Sequence, residues 1–274
     1  MATITAADVN KLRQQTGAGM MDCRKALVES DGDFEKAVDY LRKKGQKVAA
    51  LRSDRETKEG VIIAKTGADN KTGVIVALGC ETDFVAKNED FVKFAQSIVD
   101  LALANGVKTV EELGAAKLDD ATVADKVNDQ VAKIGEKINL SKFEMIEAAA
   151  VTAYIHGNYR MGVLVGFSKP VSDEVGKDIA MQIAAMNPIA VDADGVPADL
   201  IAREREIAVD QIKAEGKPAE MAEKIAQGKI AKFFKESTLL QQAFVKDGNK
   251  SVADYLKSID ADLKVTSFKR IALG

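Results

Sequence analysis

Hydrophobic spacing divides the chain into stretches of period about 3.6, read as helices, and short β-branched runs, read as strands. In the first 53 residues, Val9 and Leu12 follow Thr5, Ala26, Leu27 and Val28 follow Asp22, and Phe34, Ala37, Val38 and Leu41 follow Asp33. Thr5 and Asp33 stand where a helix N-cap is needed, Gly17-Ala18-Gly19 breaks the first helix, and Lys43-Lys44-Gly45 offers a basic last turn and a glycine stop. The pattern predicts three short helices around a thin core, with the polar stretch at residues 51–56 as a linker. Val61-Ile62-Ile63 and Val74-Ile75-Val76 flank the turn formers Gly67, Asp69 and Asn70, which predicts a β-hairpin. The second run ends at Gly79-Cys80, passes a polar elbow from Glu81 to Asp83, and leads into a helix over residues 85–104 carrying Phe91, Phe94, Ile98 and Leu101. Thr82 or Asp83 is the expected N-cap of that helix. After Gly114-Ala115 a further helix is expected over residues 121–134.

The plan then recurs. Residues 143–155 and 161–167 read as paired strands joined through His156-Gly157-Asn158-Tyr159. A helix over 173–186 stops at Asn187-Pro188, and a late strand over 265–273 closes a second sheet. Between them lies a charge-laced pair of helices. One, over 199–215, has Leu200, Ile201, Ile207 and Ile212 as a sparse apolar face; the other carries Met221, Ile225 and Ile230 into Phe233-Phe234, after a turn at Gly216-Lys217-Pro218. The expected architecture is multi-domain α+β: a three-helix bundle (1–54), a two-part core with small antiparallel sheets (55–140, and 141–186 with 231–274), and an inserted helical hairpin (187–230).

Composition narrows the function classes. The 274 residues are 46% hydrophobic and 30% charged with net charge -3, an ordinary soluble balance without the basic excess of a dedicated nucleic-acid binder. The first residues lack a charged start with an apolar core, and no apolar run approaches the ~18 residues a membrane span needs. A cytoplasmic protein with no cofactor is the expectation. Cys23 and Cys80 are far apart and form neither a zinc pattern nor a disulfide framework. Thr16-Gly17-Ala18-Gly19 lacks the preceding strand and the Gly-Lys-Ser/Thr ending of a phosphate loop. The single histidine, His156, sits in the expected hairpin turn with no cue pairing it to either cysteine, so no catalytic constellation emerges.

Two elbows stand out as contact candidates. Met20-Met21, beside the glycine break and near Arg13, are flexible thioethers suited to an adaptable apolar patch or to filling a core gap. Phe84 is a large ring at the strand-to-helix elbow, either folded back as a hydrophobic staple or offered to another protein as a wedge. The residues alone lead to a multi-domain interaction protein.

The run from Leu12 to Leu27, with Thr16-Gly17-Ala18-Gly19-Met20-Met21-Asp22-Cys23-Arg24-Lys25 at its centre, resembles the N-terminal signature of the bacterial translation elongation factor Ts family. Glu81-Thr82-Asp83-Phe84-Val85-Ala86-Lys87 resembles the family's second signature, and His156-Gly157 and the helical hairpin fall in matching order. Arg24, Ala77 and Gly79 depart from the usual lysine, glutamate and asparagine, and the chain ends at Gly274 without the extra C-terminal helix of some members. The resemblance implies a guanine-nucleotide exchange factor for elongation factor Tu, with a ubiquitin-associated-domain-like (UBA-like) bundle that docks through Arg13, Met20 and Met21. It implies that Thr82, Asp83, Phe84 and Val85 disturb the partner's magnesium site, that His156 meets another partner domain, and that the coiled-coil-like arm contacts the partner or a second copy. No direct nucleic-acid or membrane partner is implied. The rival expectation is a protein-binding adaptor without exchange activity.

Overall fold

The computed structural model describes residues 3–214 and 219–274; the expected turn at Gly216-Lys217-Pro218 lies outside them, as does the side chain of Met221. At the N-terminus, α1 (Ala6–Thr16) opens on a reciprocal cap in which the Thr5 hydroxyl accepts from the Asp8 amide and the Asp8 carboxylate accepts from the Thr5 amide. α2 (Met20–Glu29) begins two residues before the expected Asp22, so Met20 and Met21 form its first turn instead of a loop. α3 (Phe34–Leu51) starts at the Asp33 cap but runs through Gly45, and the expected stop there is absent. A Cβ at Gly45 would lie 2.7 Å from the Ala132 Cβ and 3.1 Å from the Asn128 carbonyl. This glycine lets two helices approach closely. The far half of α3 packs Val48 and Ala49 on the core and takes in Leu51, the first residue of the expected linker at 51–56.

β1 (Glu59–Thr66) and β2 (Thr72–Cys80) form the expected hairpin, with Ile63 opposite Val76 and Val61 opposite Leu78. The expected helix over 85–104 is two: α4 (Asp83–Ala86), then α5 (Glu89–Asn105), which restarts where Asn88 accepts from the Asp90 amide at 2.8 Å. α6 (Val110–Ala115), a two-residue pair β3 (Lys117–Leu118) and β4 (Ala121–Thr122), and α7 (Val123–Ile134) follow. The stretch 143–155 is two strands in two sheets: β5 (Asn139–Glu147) pairs with β2, whereas β6 (Ala150–His156) pairs with β7 (Met161–Phe167). The chain changes sheet at Ala148-Ala149, whose near side is tied by the Ala148 amide to the Lys71 carbonyl at 2.9 Å.

α8 (Asp173–Met186) ends at Asn187 in the left-handed region, φ 44°, as expected. The hairpin helices α9 (Ala198–Ala214) and α10 (Ala219–Ser237) meet along Ala208, Ile212 and Ala226, while Ile207, expected on this seam, is exposed. β8 (Ala243–Phe244), β9 (Asp247–Ser251) and α11 (Val252–Ile259) precede β10 (Val265–Ala272), which closes the second sheet against β7.

The sheets have orders β1-β2-β5 and β10-β7-β6. Along β2, Val74, Val76, Leu78 and Cys80 face α5 and α7, and the alternate Ile75 and Ala77, with Ile62 of β1 and Ile146 of β5, meet Val151 and Leu164 of the second sheet. The period-2 pleat therefore explains the unbroken apolar run of β2: both faces are buried. The order of layers is helix, sheet, sheet, helix, with α8 and α11 covering the outer face of the second sheet. Burial of each such aliphatic side chain contributes roughly 1.5–3 kcal/mol.

Candidate partner-binding site

The elbow between β2 and α5 is built from both ends. Behind it, Cys80 is buried at the strand terminus; ahead, Val85 and Ala86 pack against the first core. Successive helical residues turn by about 100°, so seating Val85 and Ala86 inward swings their neighbour outward. Phe84 is 83% exposed, which excludes the folded-back staple. Thr82 holds the N-cap position of α4 but makes no side-chain cap bond, and Asp83 lies inside the helix with its carboxylate 2.6 Å from Lys87 Nζ. That lysine holds the Asp83 carboxyl below its ordinary range. The expected capping by Thr82 or Asp83 is thus replaced: both side chains are used elsewhere, and Asn88 caps the long helix instead.

Two carboxylates strap the elbow down. Glu136, just past α7, accepts from the amides of Glu81 at 3.1 Å and Thr82 at 3.0 Å through Oε2, and from the Thr82 hydroxyl at 2.7 Å through Oε1. Glu81, with its side chain only 13% exposed, accepts from the Lys137 amide at 2.6 Å, from Arg52 at 2.6 Å and from Arg55 at 3.4 Å. The Lys137 amide, then Arg52, holds the Glu81 carboxyl below the usual range against the opposing effect of burial. Lys137 Nζ in turn donates to the carbonyls of Ser53 at 2.5 Å and Arg55 at 2.8 Å. The end of the bundle helix, the elbow and the end of α7 therefore meet in one knot.

Cys80 donates to the Thr82 carbonyl at 3.2 Å. Burial, reinforced by the carboxylates of Glu136 and Glu59, pushes its thiol up to about 12. Such a thiol is un-ionised at neutral pH and unsuited to nucleophilic work. His156 Nδ1 shares a hydrogen bond with the Tyr154 hydroxyl at 2.9 Å, not with either cysteine.

The elbow and the β6–β7 turn are brought to opposite sides of one groove of about 510 Å³, lined by Asp83, Ala86 and Lys87 on one side and Gly157, Tyr159 and Arg160 on the other. The turn is anchored there because the Ile62 amide donates to the Tyr159 carbonyl at 2.7 Å and Arg160 pairs with Glu59. His156, exposed at the end of β6, stands beside this groove without lining it. On the bundle, Met20 and Met21 are 58% and 72% exposed and border a separate groove with Ile4, Val9, Asn10 and Arg24. Arg13 is exposed in the last turn of α1 but is not part of that lining. The departures also find their places. Ala77 is buried between the sheets, where a glutamate would be an unpaired charge, and a Cβ at Gly79 would lie 2.6 Å from Asn139 Oδ1 and 2.9 Å from Thr57 Oγ1. Sequence reasoning missed Glu136 and gave Glu81 no role: the partners lie 26 to 56 residues apart, and no periodicity joins them.

The elbow is thus an outward ring on a backbone held by remote carboxylates. A profile of the family described as Elongation factor TS matches residues 81–274, beginning at the elbow itself. The chain belongs to the elongation factor Ts family. Proteins named elongation factor Ts from Flavobacterium psychrophilum and Christiangramia forsetii are 56% and 52% identical to it, each alignment covering 100% of both chains. The protein of that name from Cytophaga hutchinsonii is 48% identical, again over 100% of both chains. Elongation factor Ts membership thus spans the bundle as well as the profile-matched region.

Proposed function

We infer that the chain is a guanine-nucleotide exchange factor that binds GDP-loaded elongation factor Tu and promotes GDP release in translation elongation. The observation that carries this is Phe84: 83% exposed, yet mounted on a backbone fixed from both sides, in a chain of the elongation factor Ts family. No bond is made or broken in this work, which takes place in the cytoplasm. Magnesium is the largest local positive charge holding a nucleotide's phosphates to a GTPase, and a wedge that displaces its ligands loosens the nucleotide. In this reading Thr82, Asp83, Phe84 and Val85 form the element that disturbs the magnesium site, with Phe84 as the wedge. The UBA-like bundle docks through Arg13, Met20 and Met21, and His156 meets a further partner domain across the groove from the elbow. The α9–α10 pair acts as a coiled-coil-like arm for the partner or for a second copy; sedimentation of the chain with and without the partner separates these.

The test is the release of fluorescent GDP from elongation factor Tu at fixed magnesium. Acceleration by the chain, lost in Phe84→Ala while the variant keeps its far-ultraviolet circular dichroism, is the expected result. Binding with no acceleration by the wild-type chain returns the protein to the adaptor class.

A further inference from the structure

The exposed ring of Phe84 has no packing of its own to aim it. α4 is four residues long, too short to hold an orientation by its own hydrogen bonds. Its N-cap residue, Thr82, has its hydroxyl engaged away from the helix. The direction of the ring is therefore inherited from the backbone on either side of it: Val85 and Ala86 seated on the first core, and the entry to α4 at Glu81 and Thr82. Of the two carboxylates at the elbow, Glu136 is the one that bonds the entering amides directly. Glu136 accepts from two successive amides and one hydroxyl, three charge-assisted bonds at 2.7–3.1 Å that involve both oxygens of its carboxylate. Glu81, pinned by the Lys137 amide beside it, leaves residues 136–137 and 81–82 joined in both directions.

On the basis of the exchange reading above, we propose that Glu136 is a positioning residue for exchange, which holds the Glu81–Thr82 backbone so that Phe84 projects at a fixed angle. It touches neither the ring nor anything beyond the elbow in the interactions it makes. Its effect passes through the backbone at Glu81 and Thr82. This differs from a general stabilising role, because the first core is already closed by Phe91, Ile98, Val127 and Val131 without it.

The experiment compares wild type, Glu136→Ala, Glu136→Gln, Phe84→Ala and the Phe84→Ala/Glu136→Ala double variant in GDP release, at rising concentration of the chain. Glu136→Ala is expected to lower the maximal release rate by roughly tenfold, within the cost of up to ~100-fold for a misplacement of about 1 Å. The concentration giving half-maximal release should change little. Glu136→Gln keeps one oxygen for the two amides and an amide group that can donate to the Thr82 hydroxyl oxygen, so it should recover most of the rate. In the Phe84→Ala background the Glu136→Ala change should add nothing, because a residue acting only through the ring is silent once the ring is gone. Amide hydrogen exchange at Glu81 and Thr82, read without any partner, should quicken in Glu136→Ala and not in Phe84→Ala. A full maximal rate in Glu136→Ala, or an equal further loss in the double variant, overturns the proposal. If wild type itself gives no acceleration, the exchange reading has failed instead, and unchanged amide exchange in Glu136→Ala would show independently that the strap is absent.

Discussion

Among single residues, the elbow separates what local chemistry announces from what it conceals. The Thr5–Asp8 cap is legible because both partners lie three positions apart, and the outward placement of Phe84 is legible as one of two alternatives. The Glu81 clamp is not, since its donors come from Lys137, Arg52 and Arg55. Its consequence is a pH dependence. The Glu81 carboxyl is held below its ordinary value in the folded chain, so its contribution to stability is fully present above the unfolded value of about 4.3. That contribution is lost as pH falls through the lower folded value. Glu81→Gln should therefore have a lower urea midpoint than wild type at neutral pH, and the two midpoints should converge as pH drops below about 4. A gap that stays constant down to the acid transition would mean that the clamp carries no charge-dependent stability.

At the scale of elements, tertiary packing overrode two clear local signals. Lys43-Lys44-Gly45 has the composition of a helix terminus, yet α3 continues because Gly45 gives the space that Ala132 and Asn128 of α7 occupy. Likewise, residues 143–155 are uniformly strand-like, and nothing in their pattern marks the change of sheet at Ala148-Ala149, which is set by pairing of β5 with the distant β2 and of β6 with the next strand, β7. Helix existence was readable from period; partnership was not. Gly45→Leu should cost about 1–3 kcal/mol by overpacking the α3–α7 contact, visible as a lowered urea midpoint. Gly114→Ala is the control. It lies inside α6 with nothing within 4 Å of a new Cβ, and removal of a flexible helix residue should raise stability by about 0.5–1 kcal/mol. If both changes act alike, close approach does not explain Gly45.

For the whole molecule, α3 runs from the bundle to the elbow knot, so the docking and wedging of the proposed function would sit on a single frame. A factor that drives nucleotide off must bind the empty GTPase more tightly than the loaded one, and linkage requires each ligand to weaken the other by the same factor. Contacts made equally in both nucleotide states contribute affinity but no coupling. In the proposed function the bundle face, which borders a groove separate from the elbow groove, is of the first kind, and Phe84 of the second. Arg13→Ala should therefore weaken binding to nucleotide-free and GDP-bound elongation factor Tu by similar amounts, a few-fold to about tenfold for one exposed charged contact, and leave the ratio of the two affinities unchanged. Phe84→Ala should instead shrink that ratio, chiefly by losing affinity for the empty state. Titration calorimetry of each variant against both nucleotide states measures all four constants. A ratio altered in Arg13→Ala as much as in Phe84→Ala would mean that docking and displacement are one event, with coupling spread over the whole interface rather than concentrated at the elbow.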